Sequence, residues 1–327
     1  MASRVLAERY ELHKRIGSGA MGEVWSATDL QTGDSVAVKM AQNWVATEPE
    51  LVARFEREGK LLRRIKSPFI CALIEAGRDN DVPFMVLEML EGEELDRLMA
   101  REGYLPMAEV GRIADEILQA LVVAHAAGIV HRDLSPSNVF IHRRRDGKIM
   151  TKVLDFGIAK TADTSAPRTA SRTTMGSLPY VAPEQLGDSN KAGPRADLYA
   201  LGTIVFRLLT GQMPYGDAQG TTLIVLKREH EPPTIDEATG EKWPAALRSF
   251  LSKTIARSPA KRYTSAELAL AAWREAMRGK GPRLAMPERP LDATETLTLD
   301  DGDSTHRVND AEAAQARKTA SQTKKSR

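Results

Sequence analysis

Between residues 10 and 90 the hydrophobic positions alternate in short β-type runs broken by glycine-containing turns. Only one segment there, roughly 48–65, repeats at helical spacing, so the pattern predicts a sheet accompanied by one helix. From 106 to 277 the pattern turns helical, with stretches at 106–127, 195–210, 243–256 and 264–277 separated by loops rich in Pro, Gly and Ser. The stretch at 195–210 is apolar nearly all round and runs into Gly211, which predicts a fully buried central helix closed by a glycine C-cap. The expected organisation is therefore α+β and bilobal. A short N-terminal extension (1–9) leads into a small β-rich lobe with one helix (10–90) and a larger α-helical lobe (91–277). Beyond Met277 the composition changes: Pro282, Pro287 and Pro290 stand among many Ser, Thr, Asp and Lys, and aromatic residues are scarce. Residues 278–327 are expected to be a disordered polar tail, because they bury too little apolar surface to offset the entropy of ordering. No internal repeat of solenoid period is present.

Composition narrows this picture more than it adds to it. A chain of 327 residues can bury a sizeable core, and a single cysteine, Cys71, excludes a disulfide framework. No charged-then-apolar leader precedes the run at Tyr10, so the expected setting is reducing and cytoplasmic. The longest apolar stretch, Leu198 to Leu209, is interrupted by Gly202, Thr203 and Arg207, so no membrane span is expected. With 46 basic and 44 acidic residues the formal charge is only +2, and no global field argues for nucleic acid or anionic lipid. Function has to come from local constellations.

Four such constellations follow one another. The first is Gly17-Ser18-Gly19-Ala20-Met21-Gly22-Glu23-Val24, between two β-type runs, with Val36-Ala37-Val38-Lys39 next. Glycines let a backbone approach phosphates, and a lysine neutralises them. A glycine string alone also fits a plain hairpin, but the element after it is a strand and not the helix of a dinucleotide-binding turn. The second is Glu58, in the stripe Leu51, Phe55, Leu62, Ile65 of the helix that Thr47, Pro49 and Glu50 are expected to open as N-cap, first-turn proline and capping-box acid. A carboxylate aimed at a core needs a cation, and Lys39 is the candidate. The third is His131-Arg132-Asp133-Leu134-Ser135-Pro136-Ser137-Asn138, and the fourth Asp155-Phe156-Gly157. Asp133 can accept a hydroxyl proton, while Asn138 and Asp155 offer hard oxygen ligands to Mg²⁺ bridging phosphates. His131 is expected in the core and not as an acid or base.

In order and spacing these strings resemble the eukaryotic-type Ser/Thr protein kinases, over about residues 8–277, and the bacterial members most of all. Ala182-Pro183-Glu184 matches the family's APE string, Asp197 the aspartate of its central helix, and Arg262 the arginine that pairs with the APE glutamate. The resemblance implies a protein-kinase fold and a phosphotransferase that uses ATP and Mg²⁺, with Mn²⁺ as the alternative metal. It implies catalytic roles for Lys39, Glu58, Asp133, Asn138 and Asp155, with Asn138 and Asp155 as the metal ligands. The nucleotide is implied to lie against Ile16, Gly17, Ser18, Gly19, Ala20, Met21, Gly22, Val24, Ala37, Lys39, Leu87, Glu88, Leu90, Glu94, Asn138 and Asp155. In that reading Leu87 is the gatekeeper, the backbone of Glu88 and Leu90 faces adenine, and Glu94 touches ribose.

The chain departs from the family at Ser135, where most Ser/Thr kinases carry a lysine that touches the γ-phosphate, and mildly at Ser177, where a threonine is usual. A nucleotide-binding scaffold without phosphotransfer is the rival that Ser135 favours. A small-molecule kinase is a second rival, against which the long 158–184 segment argues. Thr173, with Thr174 behind it, is the expected autophosphorylation position, within reach of Arg132 and Lys160. Protein substrates are the expected partners, with no nucleic acid. The tail segment Thr294-Glu295-Thr296-Leu297-Thr298-Leu299 is a candidate docking point for a phosphothreonine-reading domain.

Overall fold

The structure is a computed structural model that describes residues 4–18, 22–42, 48–156, 177–187 and 192–278, the side chains of Leu51, Arg54 and Glu58 excepted. Residues 10–90 fold as the alternation predicts. Strands β1 (Arg4–Leu6), β2 (Tyr10–Ser18), β3 (Gly22–Asp29), β4 (Ser35–Ala41), β5 (Leu73–Asp79) and β6 (Val82–Glu88) form one sheet in the order β1-β2-β3-β4-β6-β5, every pair antiparallel. The period of two sorts their side chains onto two faces. Leu6, Tyr10, Leu12, Val36, Val38, Met40, Phe84 and Val86 pack into one buried cluster, with Trp25 against it. The first of these comes from β1, so the stretch ahead of residue 10 completes the sheet. Arg9 holds the corner, its guanidinium donating to both carboxylate oxygens of Asp29 (2.8 and 2.6 Å) and to Glu75 (2.9 Å). The Arg9 hydrogen bonds keep the Asp29 carboxyl well below the usual carboxylate range.

The single helix of this lobe, α1 (Pro49–Leu62), buries Phe55 and Leu62, and Ile65 just beyond it, as the stripe requires, and also Val52, which the stripe did not include; the Leu51 side chain lies outside the described residues. Its start differs from the expectation. Pro49 does occupy the first turn, but the N-cap is Glu48, which makes no side-chain capping bond, and Thr47 lies outside the described residues. The chain reaches helical geometry one residue later than the capping box needs. Glu50 then falls at the second helical position, too early to reach back to the cap, and the hydrogen-bond ladder opens with Val52 N–H donating to Glu48 O (3.1 Å). Proline at the first position suits this start, because it has no N–H to satisfy.

The second lobe is helical, with α2 (Leu95–Glu102), α3 (Met107–Ala126), α4 (Pro194–Thr210), α5 (Gly220–Glu229), α6 (Ile235–Thr239), α7 (Ala245–Thr254) and α8 (Ala266–Arg278). Thirteen residues of α4 are buried, so it is the central helix its composition predicts. Gly211 caps it at φ +72°, a left-handed conformation that a side chain disfavours. The helical periodicity did not reveal a small sheet, β7 (Gly92–Glu94), β8 (Val139–Arg143) and β9 (Ile149–Val153), antiparallel in that order. It matters because β8 starts directly after Asn138 and β9 ends two residues before Asp155. The tail positions singled out from sequence, from residue 279 onward, lie outside the described residues.

Candidate active site

The pairing register of the first sheet places Gly17 and Val24 of the glycine string on one face with Ala37, Lys39 and Leu87. Gly17 lies opposite Val24, Val24 opposite Lys39, Lys39 opposite Met85, and Ala37 opposite Leu87. Residues directly opposite in an antiparallel pair share a face, so Gly17, Val24, Ala37, Lys39 and Leu87 line the side away from the packed cluster. Ile16 is the extra residue of a β-bulge between the Arg15–Trp25 and Gly17–Val24 pairs, and it is 50 % exposed. The two glycines that bound the tip differ. A Cβ on Gly22 would stand 2.3 Å from Met40 O, so the neighbouring strand alone demands glycine there. Among the described residues a Cβ on Gly17 would meet the Val24 side chain at 3.6 Å, ordinary contact. Gly19, Ala20 and Met21, between them, lie outside the described residues.

Helix α1 covers the same face. A Cβ on its Gly59 would be 3.3 Å from Ala76 Cβ and 3.6 Å from Met85 Sδ, so the turn that carries Glu58 rests beside the strand pair of Lys39 and Met85. The Glu58 side chain itself is outside the described residues. The described partner of Lys39 is Asp155, Nζ to Oδ1 2.6 Å, an ion pair joining the sheet to the turn after β9. Packing desolvates the half-exposed Asp155 carboxyl and so pushes its pKa up. The charge and hydrogen bond of Lys39, helped by His131, outweigh that and hold it below the usual carboxylate range. Asp155 is therefore ionised at neutral pH. Its φ of +35° is strained for a residue with a side chain, as is the +62° of Arg132 in the facing loop.

That loop is built around buried hydrogen bonds. Asp197 on α4, itself buried, accepts from the backbone N–H of His131 and of Arg132, both 2.8 Å, and pairs with His125 Nε2 at 2.8 Å. His131 is fully buried, as expected. Its Nδ1 accepts from the Asp133 amide (3.3 Å), so its Nε2 carries the proton donated to Leu154 O (2.9 Å). The ring thus ties the loop of Asp133 to the strand that leads to Asp155. Asn138 Nδ2 donates to Asp133 O (2.8 Å), which leaves its Oδ1 as the acceptor for anything in the cleft. Among the described residues no three His, Cys, Asp or Glu groups converge on one point. Asn138 Oδ1 and the ionised Asp155 are instead two hard oxygen donors, a set that suits Mg²⁺ when phosphates and water complete its shell. Ser135 is 3 % exposed, with its hydroxyl 3.0 Å from Ser137 Oγ.

The sequence profile of the protein kinase domain matches residues 10–274. The chain belongs to the protein kinase family. Among similar curated proteins, it is 35 % identical to the serine/threonine-protein kinase Pkn1 of Myxococcus xanthus over 82 % of this chain and 38 % of that one. It is 34 % identical to PknA of Mycobacterium tuberculosis over 80 % of this chain and 59 % of that one. The chain thus spans well under two thirds of the length of these relatives. Among solved structures, the Mycobacterium tuberculosis PknI kinase domain superposes with a TM-score of 0.63 at 26 % identity, covering 84 % of this chain and 99 % of that one. Rad53, crystallised with AMP-PNP, gives a TM-score of 0.65 at 25 % identity over 81 % and 65 % of the two chains.

The remaining expected positions of this kinase chain divide. The hinge runs off β6, where Glu88 turns its side chain away to the Ala72 amide (2.8 Å) and to Lys152 Nζ (2.6 Å), so only its backbone can meet a base. Leu90 and Glu94 follow, partly buried, Glu94 as the cap residue of α2. Thr173, Thr174 and Lys160 lie outside the described residues. The pairing of Arg262 with Glu184 is bidentate, at 2.7 and 2.9 Å. Two lysines were missed from sequence. Lys152, buried within β9, braces the hinge through Glu88, and Lys227 on α5 reaches the segment before Ala182. For Lys152 the available signal was a cation inside the strand-like run Ile149-Met150-Thr151-Lys152-Val153; Lys227 ends an apolar run and is followed by Arg228 and Glu229, so the sequence offered no such signal for it. Cys71 is not reactive, because burial, with Glu88 and Asp155 nearby, pushes its thiol up to about 12.

Proposed function

We propose that the chain moves the γ-phosphate of ATP onto Ser or Thr hydroxyls of proteins, its own activation segment included. The observation that carries this is the Lys39–Asp155 ion pair. It joins a sheet face fit for a nucleotide to the turn after β9, which His131 ties to the loop of Asp133 and Asn138. Ile16, Val24, Ala37 and Leu87 would enclose the base, and the hinge backbone at Glu88 and Leu90 would read its edge. Lys39 would neutralise phosphate oxygens, and Asn138 and Asp155 would hold Mg²⁺. The metal, when bound, supplies positive charge where the transferring phosphoryl group gathers negative charge. Asp133 would orient the acceptor hydroxyl and take its proton as the new P–O bond forms. The curated relatives are named serine/threonine-protein kinases, which supports the choice of acceptor. Among the described residues no helix is long and apolar enough to cross a membrane, and we place the activity in the cytoplasm. Incubation with γ-labelled ATP, Mg²⁺ and a generic protein acceptor tests the proposal; a chain that binds nucleotide but transfers no label to acceptor or to itself is the scaffold instead.

The activation segment is expected to order on phosphorylation at Thr173, with Thr174 next, because a phosphate of about −1.5 to −2 charge would join Arg132 and Lys160 by charge-assisted hydrogen bonds. Mass spectrometry of the freshly expressed chain beside its Asp133→Asn form reads this out. Phosphate on Thr173 or Thr174 in the parent only is the expected pattern, and none in either sample ends the idea. The tail reading is tested in the same spectra, where occupancy near zero at Thr294, Thr296 and Thr298 would dismiss it.

Ser135 bears on rate. A fixed donor aimed at the charge that develops in the transition state contributes more there than in the ground state. Its loss typically costs about 10²–10³-fold in rate. The Ser135 hydroxyl is buried against Ser137 and is a short neutral donor, so it replaces little of a lysine's charge. Ser135→Lys is expected to raise kcat for a peptide by less than about 10²–10³-fold, because Lys39 compensates in part, and to leave KM for ATP little changed. Steady-state kinetics decide, and a change confined to KM for ATP would assign position 135 to nucleotide binding.

A further inference from the structure

Lys227 is an unusual residue to find inside a helical lobe. It sits in the last turn of α5 and is 1 % exposed, yet its described ion-pair neighbourhood contains no carboxylate in contact. Its Nζ instead donates to three backbone carbonyls, Leu178 O at 3.0 Å, Pro179 O at 2.6 Å and Val181 O at 2.6 Å. An ammonium has three N–H bonds, and all three are used on one turn of chain. The ring of Tyr199 on the central helix lies 5.1 Å from Nζ, which lends the charge a π face. Burial pushes the amine down to about 7, with Arg262 adding to the effect and Glu184 opposing it. A lysine kept in so costly a place, when an apolar residue would fill it, is there for what it grips.

What it grips is the wall beside Asp133. The 3₁₀ turn Leu178–Tyr180 and the residues around it enclose a small space with the catalytic loop, lined by Arg132, Asp133, Ser177, Tyr180, Val181 and Gln185. Gln185 Nε2 donates to Arg132 O at 2.9 Å, so the wall and the loop are also stitched directly. The wall is thus a surface from which a hydroxyl can reach Asp133. Among the described residues the turn's backbone links are Tyr180 N–H to Ser177 O (3.0 Å) and Val181 N–H to Leu178 O (3.3 Å), and Lys227 adds three bonds from outside it.

We infer that Lys227 is a positioning residue for the acceptor substrate, fixing the Ser177–Val181 wall so that a peptide hydroxyl is delivered to Asp133. The inference rests on the kinase reading above. Lys227→Met keeps length and apolar stem but removes every donor, leaving three carbonyls without their partner. The expected result is a rise of about tenfold or more in KM for an acceptor peptide, the scale of losing charge-assisted hydrogen bonds, with KM for ATP within about twofold of the parent. Lys227→Arg, which restores a cation and several donors, should recover most of that loss. If Lys227→Met does not fold, Lys227→Gln, with two donors and no charge, is read in the same way and should fall between the two. A peptide KM that stays at the parent's value while the melting temperature drops would make Lys227 a structural brace and overturn the inference. So would KM values for peptide and ATP that rise together. A parent chain that phosphorylates no acceptor would instead overturn the kinase reading, and this inference with it.

Discussion

Asp133→Asn is expected to lower phosphate transfer by about 10²–10⁴-fold, the usual contribution of a positioned general base, while the chain stays folded. The substitution is nearly isosteric. The hydrogen bonds that shape the loop come from its backbone and neighbours, with the Asp133 amide donating to His131 and its carbonyl accepting from Asn138. Both of these bonds use backbone atoms of Asp133, which the substitution keeps. Lys39→Met and Asp155→Ala should each cause a loss of at least about 10²–10³-fold, because each removes one side of the charge arrangement meant for the phosphates. Their partner is then left without its 2.6 Å ion pair, so the two single losses should not add in the double variant. Label incorporation into a generic acceptor, with melting temperature as the folding control, measures all three. An Asp133→Asn protein that transfers label at the parent's rate would end the assignment of that residue.

Arg262→Ala is expected to destabilise the helical lobe by about 3–5 kcal/mol, the cost of breaking a buried ion pair from one side. The side chain of Arg262 is fully buried and that of Glu184 is 15 % exposed, so water recovers little of what is lost. The guanidinium also donates to Ala256 O (2.8 Å), Arg195 O (3.0 Å) and Arg257 O (3.0 Å), so its five N–H bonds are all used. Removing it leaves a carboxylate and three carbonyls unpaired. Denaturant unfolding reads the change, and a difference below about 1 kcal/mol, the level of an exposed pair, would show that the network carries little. Activity should fall as well, since Glu184 follows closely on the wall that Lys227 holds.

The candidate site could be named from the sequence for a reason that lies in the proposed chemistry. Phosphoryl transfer needs few side chains, and they need hard oxygen, positive charge and close backbone approach. Those needs leave Lys39, Asp133, Asn138 and Asp155 in short strings with little freedom of spacing. The period of two in β2, β3, β4 and β6 carried the two-faced sheet, and the apolar run before Gly211 carried the central helix. The start of α1 was less legible, because Thr47 is a favoured N-cap by residue type, whereas the backbone path puts the N-cap at Glu48, which makes no side-chain capping bond. The sheet of β7, β8 and β9 escaped notice because three short strands between long helices produce a weak alternating signal.

By itself, then, the sequence determined the family, the two-lobed order of strands and helices, and the residue types available for chemistry, because periodicity and motif spacing are local properties. Tertiary structure decided partners. Lys39 meets Asp155 across 116 positions of chain, and Glu88 meets Lys152 across 64. Lys227 finds three carbonyls 46–49 positions away. No local pattern encodes such pairings, since each depends on where a strand register, a helix crossing and a turn bring a charge out of water. A buried charge takes whatever partner the finished packing presents.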